Sequence, residues 1–202
     1  MKRLEISVCL GLVFAVLLSI ASLNTECSEI RDSVLRLHVL ANSDSAEDQA
    51  LKLKVRDRIL TVSENMFSHA ATKEEAVEDA RNHLSLLQEE AQKVIFDDGY
   101  AYPVSVSLET SYFTTRSYGS VTLPAGEYQA LRVVIGDGGG HNWWCVMFPP
   151  LCISAASEEE AQLSDVLSPE QMTLVESDGY EIKFKCVELY EEFRRALSRK
   201  SR

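Results

Sequence analysis

The chain has 202 residues, with 31 Asp and Glu against 20 Lys and Arg, and a formal net charge of −11. This acidic balance argues against a nucleic-acid-binding surface and against electrostatic adhesion to anionic lipid. About 175 residues follow an apolar N-terminal segment, which is enough for one domain with its own hydrophobic core.

The N-terminal segment predicts export. Two basic residues precede an uncharged apolar run from Ile6 to Leu23, which lies between the lengths of a signal-peptide core and a spanning helix. The basic residues favour a cytoplasmic N-terminus. Cleavage after Ala21 and retention as an anchor are both open. We predict a signal peptide or membrane anchor over residues 1–27 and a single extracytoplasmic domain over residues 28–202.

The first half of that domain carries one strand pattern and two helix patterns. Val34 to Leu40 alternates like a strand, and Asn42 to Ser45 has the composition of a turn. Ser45 is placed as the N-cap of a first helix, whose apolar residues recur at helical spacing. Thr72 opens a capping box and predicts a second long helix, which ends at Asp97 to Gly99.

The second half of the domain favours strands. Val104 to Leu108 alternates, and Leu131 to Ile135, the glycine-rich segment Gly136 to Gly140 and Asn142 to Phe148 predict a β-hairpin. The short connections predict antiparallel pairing. The predicted fold class is α+β, an antiparallel sheet backed by two long helices, with the first strand at an edge and a terminal helix over Tyr180 to Ser198.

Both tryptophans, a double proline and two of the five cysteines fall between Gly140 and Cys152. Side chains alternate along a strand, so Trp143 and Trp144 should point to opposite faces. One of them would pack inward. The other would need cover from a second layer, a partner protein or a membrane surface.

Three interpretations of the cysteines remain open. Export favours a disulfide, and Cys145 with Cys152 is the favoured pair if the double proline folds the chain back. Two buried thiols are an equal alternative. A zinc site from His141, Cys145, Cys152 and Cys186 is the weakest, because paired Cys-x-x-Cys spacing is missing.

The sequence lacks the Gly-x-Ser-x-Gly, His-Glu-x-x-His, phosphate-loop and Asp-Thr/Ser-Gly motifs. We therefore predict a protein that is not an enzyme and that needs no cofactor or metal. The alternative is an exported envelope-acting hydrolase, with Asp44, Asp48, His38 and His141 as acid–base groups. A purely structural anchored domain is a third interpretation.

Three motifs carry a family resemblance: Leu40 to Ser45, Leu123 to Tyr128 and Gly140 to Cys152. The residue sequences of these motifs resemble those of the stage II sporulation protein R family, whose members are signalling proteins of endospore-forming bacteria. The resemblance implies export from the forespore toward the space between the two membranes. It also implies activation of a mother-cell membrane aspartic protease that cleaves the precursor of sigma factor E.

The resemblance supplies no catalytic residues to carry over, so the site prediction is a contact surface. We predict that Asn142, Trp143, Trp144, Asn42 and Asp44 touch the membrane-embedded protease. For the turn from Asn42 to Ser45, the alternative is that its side chains only cap the start of the following helix and contact no partner. No nucleic acid is expected as a partner, and the membrane is one only through an uncleaved N-terminal segment.

Overall fold

The structure is a computed structural model that describes residues 2–118, 121–149, 167–176 and 188. The helices within these ranges are α1 (Lys2–Asp32), α2 (Ala46–Met66), α3 (Lys73–Asn82), α4 (Leu84–Asp97) and α5 (Pro169–Glu176). The strands are β1 (Leu35–Leu40), β2 (Val104–Phe113), β3 (Arg116–Tyr118), β4 (Val121–Leu123), β5 (Gly126–Ile135) and β6 (Asn142–Phe148).

The main sheet is mixed and has the strand order β2-β5-β1-β6. β2 pairs antiparallel with β5, and β1 pairs antiparallel with β6. At the centre β1 and β5 run parallel. β3 and β4 form a separate two-stranded sheet. The α+β class is therefore confirmed, and antiparallel pairing holds for two of the three pairs in the main sheet.

Two predicted pairings are wrong. β5 and β6 are not hairpin neighbours, because β1 lies between them, and β1 is central instead of at an edge. All six residues of β1 are buried, so both faces of this strand need cover. The segment Gly136 to Gly140 is therefore an arch that crosses the end of β1. Its glycine amides at 139 and 140 donate to the carbonyls of Asn42 and Ala41.

A separate apolar cluster covers each face of the main sheet. Leu37 of β1 belongs to the first cluster, which α2, α3 and α4 complete. Val146 of β6 belongs to the second, which α1, β4 and α5 complete through residues such as Ile30 and Leu174. A strand that is buried on both faces usually reads as a continuous apolar run, but β1 carries Arg36 and His38 among the side chains that face the second cluster.

The helix starts agree with the predictions, but the prediction of two long helices is not confirmed. Ser45 and Thr72 are the N-caps of α2 and α3. The second predicted helix is broken at His83, where the ring Nδ1 lies 2.7 Å from the carbonyl oxygen of Asp79. The break separates α3, which contacts β1, from α4, which contacts β2.

The predicted domain boundary after residue 27 lies inside α1, a continuous helix. Cys27 and Ile30 of this helix are fully buried in the second cluster, and burial raises the pKa of the Cys27 thiol to about 11. Among the described residues, no helix has the length and apolarity needed to cross a membrane. The N-terminal anchor is therefore not confirmed. The terminal helix predicted over Tyr180 to Ser198 lies outside the described residues.

Candidate functional site

Two of the three motif segments meet at one end of the sheet. The turn after β1 and the arch before β6 are joined by the two backbone hydrogen bonds of the arch glycines and by one side-chain bond, in which the Asp137 amide donates to Asn42 Oδ1 at 3.0 Å. Gly136 has φ +56°, and a Cβ there would clash with the Asn42 side chain. Residues that are nearly a hundred positions apart thus form one surface.

Asp44 and His141 make the closest side-chain contact on this surface. His141 approaches Asp44 Oδ1 twice, through its backbone amide at 2.6 Å and through ring Nδ1 at 2.5 Å. Both side chains are exposed. The hydrogen bond from His141 holds the pKa of Asp44 below its ordinary value, so the carboxylate is ionised at neutral pH.

A buried layer lies beneath this contact at the start of α2. Asp48 is 4% exposed and accepts hydrogen bonds from Asn42 Nδ2 at 2.9 Å and Ser43 Oγ at 2.5 Å. The bond from Ser43 lowers the pKa of Asp48. Lys52, also 4% exposed, donates to the His141 carbonyl oxygen at 2.9 Å, and burial lowers its pKa. This layer holds the two loops together.

Trp143 and Trp144 point to opposite faces of the sheet, as alternation predicts, but both are half-buried. Trp143 packs against the first cluster, with the guanidinium carbon of Arg56 4.2 Å from its ring centroid. Trp144 packs against the second cluster and stacks on His38 with a centroid distance of 3.8 Å. Each indole is thus covered in part by the apolar cluster on its own face, which is the second layer predicted from the sequence as one of three alternatives.

The predicted contact residues are therefore only partly united. Asn42, Asp44 and Asn142 lie at the loop end of the sheet, and Trp143 borders them on the helix-covered face. Trp144 borders the other face. We call Asn42, Asp44, His141, Asn142 and Trp143 the loop surface.

The acid–base groups of the hydrolase alternative do not form one cluster. Asp44 and His141 touch, but Asp48 is buried below them. His38 lies on the second face, 7% exposed, and burial lowers its pKa. Asn142 is close enough to offset that shift in part, yet neither ring nitrogen of His38 makes a hydrogen bond of normal geometry with the described residues.

Cys145 is disulfide-bonded, so its sulfur is not a free thiolate for the zinc alternative. The pairing with Cys152 stays a prediction, because Cys152 and Cys186 both lie outside the described residues. Within the ranges that the structure describes, no group of three His, Cys, Asp or Glu side chains is arranged to hold a metal ion.

The third motif, Leu123 to Tyr128, packs against Arg36, a residue that was not predicted to be important from the sequence. Tyr128 donates to the Pro124 carbonyl at 2.6 Å, and its ring centroid lies 4.8 Å from the guanidinium carbon of Arg36. Arg36 is fully buried and donates to the Cys145 carbonyl at 3.0 Å. The only signal in the sequence is a charge within an otherwise apolar strand.

The described part of the chain is thus an α+β domain with a two-sided mixed sheet and a polar loop surface at one end. A family model described as Stage II sporulation protein R matches residues 31–158. Stage II sporulation protein R of Bacillus subtilis (strain 168) is 34% identical over 180 residues, covering 79% of this chain and 80% of that protein. No solved structure matches. The chain belongs to the stage II sporulation protein R family.

Proposed function

We propose that the chain is an exported sporulation signal that activates a mother-cell membrane aspartic protease, which then processes the sigma-E precursor. Membership of a sporulation family supports the setting. The role of activator follows the resemblance of the three motifs. The proposed location is the space between the forespore and mother-cell membranes, reached through the apolar N-terminal segment.

The observation that carries the proposal is the joining of two motif segments into one pre-organised surface. Asp44 and His141 are 97 residues apart in sequence and touch through two hydrogen bonds. The buried layer of Asp48 and Lys52 fixes the loops that present them. A surface that is ordered before binding loses less conformational entropy when a partner docks, which suits a protein that acts by contact.

The loop surface offers groups of two kinds to a partner. Asp44, His141 and Asn142 are exposed and polar, whereas Trp143 contributes a half-buried aromatic edge. An aromatic residue inside a polar rim is a common arrangement in protein interfaces. We place the protease contact here, with Trp144 supporting the surface from the other face.

Reconstitution tests the proposal. The protease and the sigma-E precursor are produced together in vesicles or cells, with and without the full chain on the extracytoplasmic side, and cleavage of the precursor is followed by immunoblot. We expect cleavage only when the chain is present. Cleavage that is the same with and without the chain would contradict the proposal.

Charge reversal tests the surface in the same assay. Asp44→Lys should abolish most of the activation, because it removes the contact with His141 and reverses the charge at the centre of the loop surface. Glu64→Lys makes the same change in charge at an exposed position on α2 and should activate normally. Thermal unfolding must show both variants folded. Equal activation by the two would move the contact elsewhere on the domain.

The hydrolase alternative has one observation in its favour, the 2.5 Å contact between Asp44 and the His141 ring. A carboxylate can orient a histidine that acts as a base. Among the described residues, however, no hydroxyl or thiol is hydrogen-bonded to that ring. Hydrolysis of envelope material by the chain without the protease, lost in Asp44→Asn, would favour this alternative.

A further inference from the structure

β2 is an edge strand of the main sheet in the described part of the chain. In an antiparallel pair, alternate residues direct both backbone groups away from the partner strand. In β2 these residues include Val104 and Val106, whose amides donate away from β5 to side chains of α4. By the same alternation, Leu108 and Thr110 also direct their backbone groups outward.

α4 caps only the first part of this edge. The Val104 amide donates to Gln92 Oε1 at 3.1 Å, and the Val106 amide donates to Gln88 Oε1 at 3.4 Å. Gln92 thus lies beside Val104, and Gln88, four residues earlier in α4, lies beside Val106, two residues later in β2. The next helix position is Leu84, which has no acceptor. The capping therefore ends before Leu108.

The outward backbone groups of Leu108 and Thr110 have no hydrogen-bond partner among the residues that the structure describes. Thr110 is exposed. Beside them is a depression of about 240 Å³, in which α3 contributes Val77 and Arg81. An uncapped stretch of edge strand next to a partly apolar depression can accept an added strand.

We propose that the edge of β2 at Leu108 to Thr110 binds an extended segment of a partner protein by strand addition, and that this segment alternates apolar and basic side chains. An apolar side chain would lie beside Leu108 and Val77, which line the same depression. A basic side chain on the other face would lie beside Glu109, which is half exposed and forms an ion pair of 3.6 Å with Arg132 of β5, so the added side chain would share this carboxylate with Arg132. Cross-strand neighbours of these kinds stabilise a sheet.

The net charge of the chain favours a basic peptide segment over a second copy of the chain as the strand that binds this edge. A second copy would bring two chains of net charge −11 together, whereas a basic segment is attracted. This site is separate from the loop surface, because Val104 and not Thr110 pairs with Ile135 next to the arch. The inference therefore does not depend on the proposed function.

The experiment uses the full chain and the probe peptide acetyl-Val-Lys-Val-Lys-Val-amide, with binding followed by NMR amide shifts and hydrogen exchange. We expect the Leu108 and Thr110 amides to exchange faster than Val106 in the free chain and to shift and become protected with the peptide. A peptide of equal charge, N-methylated on alternate residues, should bind at least about fivefold more weakly, because it cannot pair its backbone. Equal binding of the two peptides would overturn the proposal.

Thr110→Pro and Thr110→Val are the matched variants. Proline removes an outward amide without breaking a bond to β5, and it is tolerated on edge strands. Thr110→Pro should bind the peptide about fivefold more weakly, and Thr110→Val should bind it as the parent does. Leu84→Gln, which extends the capping side chains by one position, should also weaken binding, with Leu86→Gln as its control.

Two further results would overturn the proposal. One is peptide binding that is unchanged in both Thr110→Pro and Leu84→Gln. The other is protection of the Leu108 and Thr110 amides on raising the protein concentration without peptide, which would assign this edge to a second copy of the chain.

Discussion

The domain buries a carboxylate beneath its loop surface and a guanidinium on the second face of its sheet, and it holds the two in different ways. Asp48, beneath the loop surface, accepts hydrogen bonds from Asn42 and Ser43, its neighbours in sequence. Arg36 projects from β1 toward the second face and is surrounded by aromatic rings. These donors to the carboxylate are local, although Tyr102 also lies close enough to help lower its pKa, whereas the guanidinium depends wholly on the tertiary fold.

The surroundings of Arg36 contain no carboxylate within ion-pair distance among the described residues. Its guanidinium carbon is 4.3 Å from the ring centroid of Phe113, and one terminal nitrogen donates to the Tyr118 hydroxyl at 2.5 Å. The other terminal nitrogen has no partner in the described part of the chain. Ring faces and a carbonyl take the place of a counter-ion, and part of the desolvation cost stays uncompensated.

The largest effect should come from truncating Arg36. Arg36→Ala should lower the free energy of unfolding by about 3–5 kcal/mol, because it leaves a cavity among the rings and unpairs the Cys145 carbonyl. Leu37→Ala, the adjacent residue facing the first cluster, should cost about 2–5 kcal/mol and serves as the apolar reference. Urea unfolding measures both.

Arg36→Met sharpens this comparison. Methionine restores most of the volume and removes a buried charge that has no counter-ion, so this variant should lose less than half of the stability that Arg36→Ala loses. If Arg36→Met were as unstable as Arg36→Ala, hydrogen bonding would outweigh packing in holding this residue.

Asp48 and Arg36 also illustrate which features of the fold can be predicted from the sequence and which cannot. Caps at Ser45 and Thr72 depend on neighbours within a few residues, and the structure has both. The parallel pairing of β1 with β5 depends on segments about ninety residues apart, and alternation alone does not place a strand at the centre or the edge. Alternation puts Arg36 and His38 on the face of β1 opposite Leu37, but it does not reveal that Phe113 and Trp144 cover that face.

The same division applies to the candidate site. Asn42, Asp44 and Asn142 were predicted as contact residues from their motifs, and they do lie at one end of the sheet. The contact between Asp44 and His141 was not predicted, because nothing in their spacing requires proximity. Lys52 was missed because a lysine on a helix is usually solvent-exposed, and only the approach of the His141 carbonyl reveals its role.

Asp48 should give the second largest effect. Asp48→Asn should lower the free energy of unfolding at neutral pH by about 1.5–3 kcal/mol, because hydrogen bonds to a charged acceptor are lost and an amide donor faces the Asn42 amide. Asp44→Asn, at the exposed carboxylate above it, should cost less. If Asp48→Asn and Asp44→Asn lowered the free energy of unfolding by the same amount, the burial of Asp48 would not make it more important for stability than Asp44.

The pH dependence of Asp48 has a defined sign. Its pKa is lowered from 3.8 by folding, so its contribution is complete above that pH and is lost as the pH falls through the lower value of the folded state. The parent should therefore lose stability between neutral pH and about pH 3, and Asp48→Asn should lose less over the same interval. Urea unfolding at the two pH values measures the difference.

The glycine arch tests how tightly the loops around Asp48 are joined. A Cβ at Gly140 would clash with the backbone carbonyl of Ser43, whereas one at Gly139 would stay at a near-contact distance of 3.4 Å from the Asn42 carbonyl oxygen. Gly140→Ala should cost about 1–3 kcal/mol and Gly139→Ala less than about 1 kcal/mol. Thermal unfolding compares them. The same small loss in both would show that the turn after β1 can move away from the arch.

The smallest effect should come from the cap of α2. Ser45 Oγ accepts the Asp48 amide at 3.1 Å, so Ser45→Ala removes one cap bond but leaves the Asn42 and Ser43 donors on the Asp48 carboxylate. It should cost about 1 kcal/mol in urea unfolding, similar to Thr72→Ala at the start of α3. A loss at Ser45 well above that at Thr72 would mean that the cap also positions the Asp48 side chain. The backbone at the start of α2 and the buried carboxylate would then act as one unit, and the acid sensitivity of Ser45→Ala would change together with its stability.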